Sequence, residues 1–122
     1  MNKVICNHIE IIHRDNVVSI GNENIILHPG KEFISLRLES TAIYTGQSQD
    51  TDSGMVFNET LSANIRYNSD NGYLNIPLIY YILRIYSDSG SFIMGLPDYP
   101  AVLTYSTDKI FADLTFRSSR PM

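Results

Sequence analysis

Cys6, His8 and His13 form the one close group of thiol and imidazole side chains in the sequence. Such side chains bind zinc, which takes four ligands in a tetrahedral arrangement. On a β-strand, Cys6 and His8 would share one face, whereas His13 would point the opposite way. His28 or carboxylates from elsewhere would have to complete the site. We therefore interpret these residues as polar side chains of an exposed strand and expect no metal.

The acidic sequence from Asp50 to Gly54 begins like a calcium-binding loop. Loops of that type have a glycine at the sixth position and a bidentate glutamate at the twelfth. Counted from Asp50, these positions hold Met55 and Leu61, so neither requirement is met. The pattern predicts a flexible acidic loop, and we expect no cofactor.

Serine is abundant, but no serine lies in a sequence that predicts nucleophilic catalysis. A catalytic serine or cysteine needs a base and an orienting acid, and there is no Gly-x-Ser-x-Gly elbow. Gly72 and Gly90 lie in turn sequences and not in a glycine-rich phosphate loop. Thirteen acidic residues always offer some carboxylate pair, so only a fold can identify a glycosidase pair. The sequence favours a protein that is not an enzyme, and a hydrolase with an unrecognised acidic pair is the remaining catalytic hypothesis.

The composition fits one globular domain spanning residues 1–122, with 43% apolar residues. The net charge of −4 and nine scattered basic residues argue against a clamp on nucleic acid, because phosphates are bound by clustered Lys and Arg. A mildly acidic wall would let DNA pass nearby without binding it. A single cysteine excludes an intrachain disulfide.

The apolar segments are too short or too interrupted for membrane insertion. The N-terminus has polar residues where a secretion signal has its apolar core. The longest apolar run, residues 76–85, is interrupted by Arg84 and is too short to span a bilayer. We expect neither a secretion signal nor a membrane partner.

Alternation of apolar and polar residues is the main secondary-structure signal. It predicts half-buried strands over residues 33–39, 60–67 and 110–117. Residues 78–86 and 91–96 flank an Asp-Ser-Gly turn and are predicted to form a hairpin. The remaining breaks are turn sequences and prolines, at residues 28–31, 68–72, 97–100 and 107–109.

Two segments do not follow this alternation. Residues 45–54 have no periodicity and no bulky apolar side chain, which predicts a mobile loop. Residues 73–80 are compatible with either one short helix or a strand, with Pro77 limiting a helix. Short strands separated by frequent turns predict a mainly β fold, an antiparallel sandwich or partly open barrel with at most one short helix.

Aromatic residues in the C-terminal half are candidates for a protein–protein interface. Residues 80–83 offer large apolar groups to both faces of a strand, which requires either a layered core or a partner subunit. Tyrosine, with its polar tip, is common at interfaces. The candidate interface residues are Tyr80, Tyr81, Phe92, Tyr99 and Tyr105, together with Asp50 and Asp52 of the predicted loop.

Residues 33–120 present four features in a fixed order. An alternating strand precedes a polar loop ending in Ser53-Gly54, and a long strand follows over residues 57–67. An apolar strand then turns through an Asp-x-Gly hairpin into Gly-Leu-Pro-Asp-Tyr-Pro at residues 95–100, the most specific piece. A closing strand ends in a short tail at Pro121. This layout resembles a group of small all-β virion proteins of tailed bacteriophages and prophages.

The resemblance implies a structural subunit of a phage particle, made in the host bacterial cytoplasm and incorporated into the virion as a head–tail connector, ring or tail component. It implies a homo-oligomeric ring in contact with other virion proteins, and it carries over no catalytic residue. Related chains have longer, more helical inserts where this chain has the polar stretch 68–75. Edge-to-edge association of strands around a symmetry axis would build the ring, with the loop at 45–54 ordering against a neighbour.

A carbohydrate- or peptide-binding β-sandwich module is the alternative function. In such a module, exposed tyrosines such as Tyr99 and Tyr105 would stack on the ligand.

Overall fold

The computed structural model describes residues 2–21, 25–66, 80–107 and 110–121. Within these ranges the chain is mostly strand, with one turn of 3-10 helix at Arg14–Asn16. The strands are Asn2–His13 (β1), Val17–Ile20 (β2), Ile25–Leu27 (β3), Ile34–Ser35 (β4), Ala42–Thr51 (β5), Gly54–Arg66 (β6), Tyr80–Ser87 (β7), Gly90–Met94 (β8), Ala101–Thr107 (β9) and Phe111–Pro121 (β10). The prediction of a mainly β fold is confirmed.

Antiparallel pairings connect six of these strands into a closed ring. The ring runs from β1 through β5, β6, β10, β9 and β7 back to β1. Its narrowest join lies between β7 and β9, where only Tyr80 with Val102 and Tyr81 with Ala101 are paired. The neighbouring part of the same β7 edge pairs with β8 instead. The architecture is therefore a barrel that is joined at one end and open between β8 and β10 at the other, as predicted in its partly open form.

The barrel interior is filled from strands that alternate as the sequence predicts. In β6, Leu61 and Ile65 are buried between exposed or half-buried polar residues, and in β10 the same holds for Leu114 and Phe116. Strand β10 pairs with β6 over its whole length, from Phe111 opposite Arg66 to Pro121 opposite Val56. The predicted strands at 60–67 and 110–117 are confirmed for the described residues, because one face of each contributes to a common core.

The predicted strand at 33–39 is much shorter than expected. Only Ile34–Ser35 (β4) pairs as a strand, beside Glu10 and Ile11 of β1. Leu36 is buried and Leu38 forms one isolated bridge to Ile65. The edge of β1 farther toward its N-terminus is occupied by β5, so residues 36–41 have no free strand edge on which to continue.

A small second sheet covers the outside of the β1–β7 ladder. The β2–β3 hairpin packs against Ile12 and Ile82, which point away from the barrel interior. Half-buried apolar residues complete this cluster, among them Phe33 and Ile93. Strand β7 is thus apolar on both faces because it lies between two layers of its own chain, and its burial needs no partner subunit.

Several of the turns predicted from the sequence are present in the structure. The hairpin between β7 and β8 turns at Asp88 and Ser89 as predicted, and Lys31 N donates to His28 O in the predicted turn at residues 28–31. Leu96 and Tyr99 exchange backbone hydrogen bonds of 3.0 Å around Pro97, which separates β8 from β9. The predicted turn at 68–72 and the helix or strand at 73–79 lie outside the described residues, and Tyr80 begins β7.

Replacing Phe116 by Ala should lower the free energy of unfolding by about 3–5 kcal/mol, because it leaves a cavity inside the barrel. Phe116 is fully buried and lies edge-on to Tyr81, with ring centroids 6.0 Å apart. Val102→Ala on the exposed face of β9 is the control, with an expected change within about 0.5 kcal/mol. Urea unfolding measures both. Equal small effects in the two variants would show that the barrel interior is not the core.

Candidate functional site

The thiol and imidazole group near the N-terminus is divided between two faces of β1. A register shift between Cys6 and His8 places Cys6 inside the barrel, together with Ile9 and Ile11. His8 is half-buried on the outer face, where its ring lies 5.1 Å from that of Tyr86. The prediction that Cys6 and His8 share a face is wrong because a β-bulge inverts the alternation. Among the described residues, no three His, Cys, Asp or Glu side chains are placed to share a metal ion.

The outer face of β1 and β7 carries a polar group whose members bind one another. Tyr86 donates to Glu10 Oε1 at 2.9 Å, and Arg84 contacts the same oxygen at 3.4 Å. His8 Nε2 lies 3.9 Å from Glu10 Oε2. The guanidinium of Arg84 also stacks over Phe33, 4.2 Å from the ring centroid. These contacts tie the barrel to the segment leading into β4 and leave Glu10 engaged on both oxygens.

The predicted interface aromatics do not form one surface. Tyr81 is only 3% exposed and belongs to the core, so its assignment to an interface is wrong. Phe92 is half-buried and packs edge-on against Tyr44 inside the barrel, with ring centroids 4.7 Å apart, so it too is mainly a core contact. Tyr80 is half-buried beneath the Arg14 guanidinium, 4.8 Å from its ring centroid. Tyr99 and Tyr105 are the exposed members, at 42% and 44%.

Residues 45–54, predicted to be a mobile loop, instead form the outer half of a long hairpin. Strands β5 and β6 pair without interruption from Ile43 opposite Ser62 to Thr51 opposite Gly54. Asp52 and Ser53 make the turn, where Thr51 Oγ1 donates to Gly54 O at 2.7 Å. The loop prediction is therefore wrong. The pattern was misleading because residues 47–55 are exposed on both faces, so their sequence shows no apolar alternation.

The hairpin and the end of β10 make a three-stranded arm that projects from the barrel. We define the arm as residues 47–58 and 118–121. Strand β1 pairs with β5 only as far as Asn2 opposite Gly46, and β9 pairs with β10 only as far as Val102 opposite Arg117. Beyond these points β6 still pairs on both sides, with β5 and with β10 up to Pro121. Five residues of β5 thus extend about 17 Å past the last pairing with β1.

A buried carboxylate lies where the arm leaves the barrel. Glu59 is 3% exposed and accepts hydrogen bonds on both oxygens. Tyr44 donates to Oε2 at 2.7 Å, Ser118 to Oε1 at 3.2 Å and Arg120 to Oε1 at 2.9 Å. The donors come from β5 and β10, the two strands on either side of β6. A buried charge is stable only when it is paired and hydrogen-bonded, so this network fixes the three strands of the arm relative to one another.

Close packing at Gly46 supports the same junction. A Cβ atom at Gly46 would lie 2.7 Å from Phe57 Cζ and 2.9 Å from Tyr44 Oη. The Phe57 ring in turn lies under the Arg120 guanidinium, 5.0 Å from the centroid. Glycine at this position therefore permits the approach of both aromatic rings and the arginine that holds Glu59.

The Tyr44 hydroxyl and the Cys6 thiol both have raised pKa values. Burial, the hydrogen bond to Glu59 and the Glu59 charge raise the pKa of the Tyr44 hydroxyl far above its ordinary value of 10.0. Burial also raises the pKa of the Cys6 thiol, which keeps it protonated and poorly nucleophilic. The chemistry of this cluster is therefore that of a neutral tyrosine and a paired carboxylate, as in a structural clamp.

The sequence contained two signals for this arm that alternation alone did not identify. The turn sequence Asp52-Ser53-Gly54 is the same as Asp88-Ser89-Gly90, which was correctly predicted to close a hairpin. Glu59 is two residues before Leu61 and so shares its inward face. In this chain, an acidic residue on the inward face of β6, shortly after a hairpin turn, marks the hairpin whose strands are held together by Glu59.

Comparison of the chain with protein-family models, with curated proteins and with solved structures gives no match in any of the three. None of the described residues belongs to a long apolar helix of the kind that crosses a bilayer.

Tyr44→Phe should make the unfolding free energy less sensitive to alkaline pH. Below pH 10 the tyrosine is neutral in both states, but above it the unfolded chain loses the Tyr44 proton first, so the native protein loses stability as pH rises. The slope from this group is at most about 1.4 kcal/mol per pH unit. Urea unfolding of the wild-type protein and of Tyr44→Phe, at pH values below and above 10, measures this difference. The absorbance of tyrosinate in the native protein gives a second reading, and normal titration of Tyr44 would contradict the buried clamp.

Arg120→Gln should lower the free energy of unfolding by about 3 kcal/mol, because it leaves the buried Glu59 charge without its cation. Arg117→Gln, on the exposed side of the same strand, is the matched control and should cost less than about 0.5 kcal/mol. Adding Glu59→Gln to Arg120→Gln should restore part of the loss, since the double variant buries no unpaired charge. Independent, additive effects would show that the two side chains are not coupled.

Proposed function

We propose that the protein is a structural subunit that works by assembling with copies of itself through the projecting arm. The observation that carries this proposal is an arm with exposed faces and an unpaired strand edge, rigidly clamped to a barrel. Residues 47–51 of β5 pair with β6 on one side and with no strand of the described chain on the other. An open strand edge is a template for pairing with another chain.

The way the arm is built favours a role outside the barrel. Its outer half buries no large apolar side chain, and Met55 near the tip is 45% exposed. Such a segment adds little hydrophobic stabilisation to its own domain. The Glu59 network nevertheless holds it in one orientation, which reduces the entropy lost when the arm meets a partner. A clamped but uncovered arm is well suited to carry contacts between subunits.

The particle to which the subunit belongs is proposed from the sequence resemblance. On that basis the protein is a head–tail connector, ring or tail component of a tailed phage, made in the host cytoplasm and incorporated into the virion. The Gly-Leu-Pro-Asp-Tyr-Pro segment supports this, and in the fold it links β8 to β9 with Gly95 at a φ of 89°. Mass spectrometry of purified particles from the encoding phage or induced prophage tests it. Particles that lack the protein would exclude the virion role.

Shortening the arm should abolish self-association and leave the barrel folded. Replacing residues 50–55 by Asn-Gly closes the hairpin on the hydrogen-bonded pair Gln49 and Val56 and retains the Glu59 clamp. Light scattering over a range of concentrations measures the oligomer, and circular dichroism with thermal unfolding measures the fold. The wild-type chain should form oligomers that the shortened chain does not.

The same experiment separates the proposal from the ligand-binding alternative. A carbohydrate- or peptide-binding module would be monomeric with or without the arm, and its melting temperature would rise with a ligand. Normal assembly by the shortened chain would mean that the arm is not the assembly element.

A further inference from the structure

We infer that the open edge of β5 in one copy pairs with the open edge of β8 in the next copy, so that the protein assembles head to tail. This inference rests on the proposed function and identifies the surface that receives the arm. Both edges are five residues long, residues 47–51 of β5 and Gly90–Met94 of β8. Strand β8 ends the large sheet and pairs only with β7 among the described strands.

The hairpin turns determine which backbone groups face outward. A two-residue turn closes on a mutually hydrogen-bonded pair, here Thr51 with Gly54 and Ser87 with Gly90. Hydrogen-bonded and non-bonded pairs then alternate along each ladder. Ser48 and Asp50 therefore direct their N–H and C=O groups to the open edge of β5, as Ser91 and Ile93 do on β8. Each edge offers two donors and two acceptors at the same spacing.

The open edges of β10 and β4 are less suitable. In β10, the residues beyond the last pairing with β9 that face outward are Ser119 and Pro121, and proline has no N–H to donate. Strand β4 is only two residues long. These edges are short or blocked, in the manner by which β proteins avoid unwanted pairing.

Charge favours the pairing of β5 with β8 over the pairing of β5 with itself. Two β5 edges meeting antiparallel with their outward groups matched would place Asp50 opposite Ser48 of the other copy, so that the two exposed Asp50 side chains are diagonal neighbours on one face, and like charges close across a ladder are destabilising. Strand β8 has the sequence Gly-Ser-Phe-Ile-Met and carries no charge. Within one molecule the two edges are not paired with each other, because β1 and β7 lie between β5 and β8 in the strand order.

The pairing has a defined register and symmetry. Matching the outward groups places Asp50 opposite Ser91 and Ser48 opposite Ile93, which brings Gln49 opposite Phe92. Because the two surfaces differ, each copy pairs through its β5 edge with one neighbour and through its β8 edge with another. Such heterologous contacts produce a ring when the rotation closes and a filament when it does not.

Cysteine pairing between two single variants tests the inference. Asp50→Cys and Ser91→Cys place thiols at exposed positions that face each other in this register, within reach of a disulfide. A mixture of the two, oxidised under native conditions, should give a disulfide-linked dimer that neither variant gives alone. Asp50→Cys mixed with Ser119→Cys on the β10 edge is the matched control and should give none. Peptide mapping identifies the linked residues.

A proline variant gives an independent measurement. Ser91→Pro removes the outward N–H of β8 without removing a hydrogen bond to β7, and should cause loss of the oligomer seen by light scattering. Ser91→Thr keeps the N–H and should assemble like the wild-type chain. Thermal unfolding of both variants confirms that the barrel is intact.

The outcomes distinguish this inference from the proposed function. If the wild-type chain assembles but Asp50→Cys crosslinks to itself or to Ser119→Cys, or Ser91→Pro still assembles, the β8 surface is not the receptor and the inference is overturned. In that case the proposed function, assembly through the arm, is not contradicted. If the wild-type chain remains a monomer at every concentration, the proposed function fails and the inference fails with it.

Discussion

The fold depends on β1 forming hydrogen bonds along both of its edges. One edge pairs with β5 and β4, and the other pairs with seven residues of β7. This double pairing closes the row of strands into a ring, which removes most of the unpaired edges that an open sheet would expose. The bulge between Cys6 and His8 is part of the same constraint, because it lets the N-terminal half face the core beside β5 while the C-terminal half faces it beside β7.

Two of the unpaired edges in the described chain arise where pairing around the ring stops. Strands β5, β6 and β10 continue past the last pairings with β1 and β9, so their ends extend beyond the ring as the arm. On the opposite side, the segment from Gly95 to Pro100 interrupts what would be one long strand and leaves β8 paired with β7 alone. The arm and the exposed β8 edge thus have separate causes, pairing that stops before β5 and β10 end and a break in the chain between β8 and β9.

The buried network at Glu59 connects these features to energetics. Without it the arm would be marginal, since even a three-stranded sheet needs a hydrophobic face for independent stability in water. The carboxylate draws a donor from each neighbouring strand of β6, and the Arg120 side chain that neutralises it also covers Phe57. A single ionic group therefore sets the direction of a segment that has almost no core of its own. This is a use of a buried ion pair for orientation more than for overall stability.

The strands that bury one face, such as β6 and β10, could be predicted from the amino-acid pattern alone, as could turns with a local conformational reason, such as Asp88-Ser89 before Gly90. The sequence also showed that no familiar catalytic motif is present. Three features depend on long-range contacts: residues 47–51 form a strand, Tyr81 lies inside the barrel, and Cys6 and His8 face opposite sides. Alternation of apolar and polar residues arises only where one face of a strand contacts a core. A strand exposed on both faces, a bulge and the choice of pairing partner leave no such periodic pattern, because they are set by residues distant in the chain.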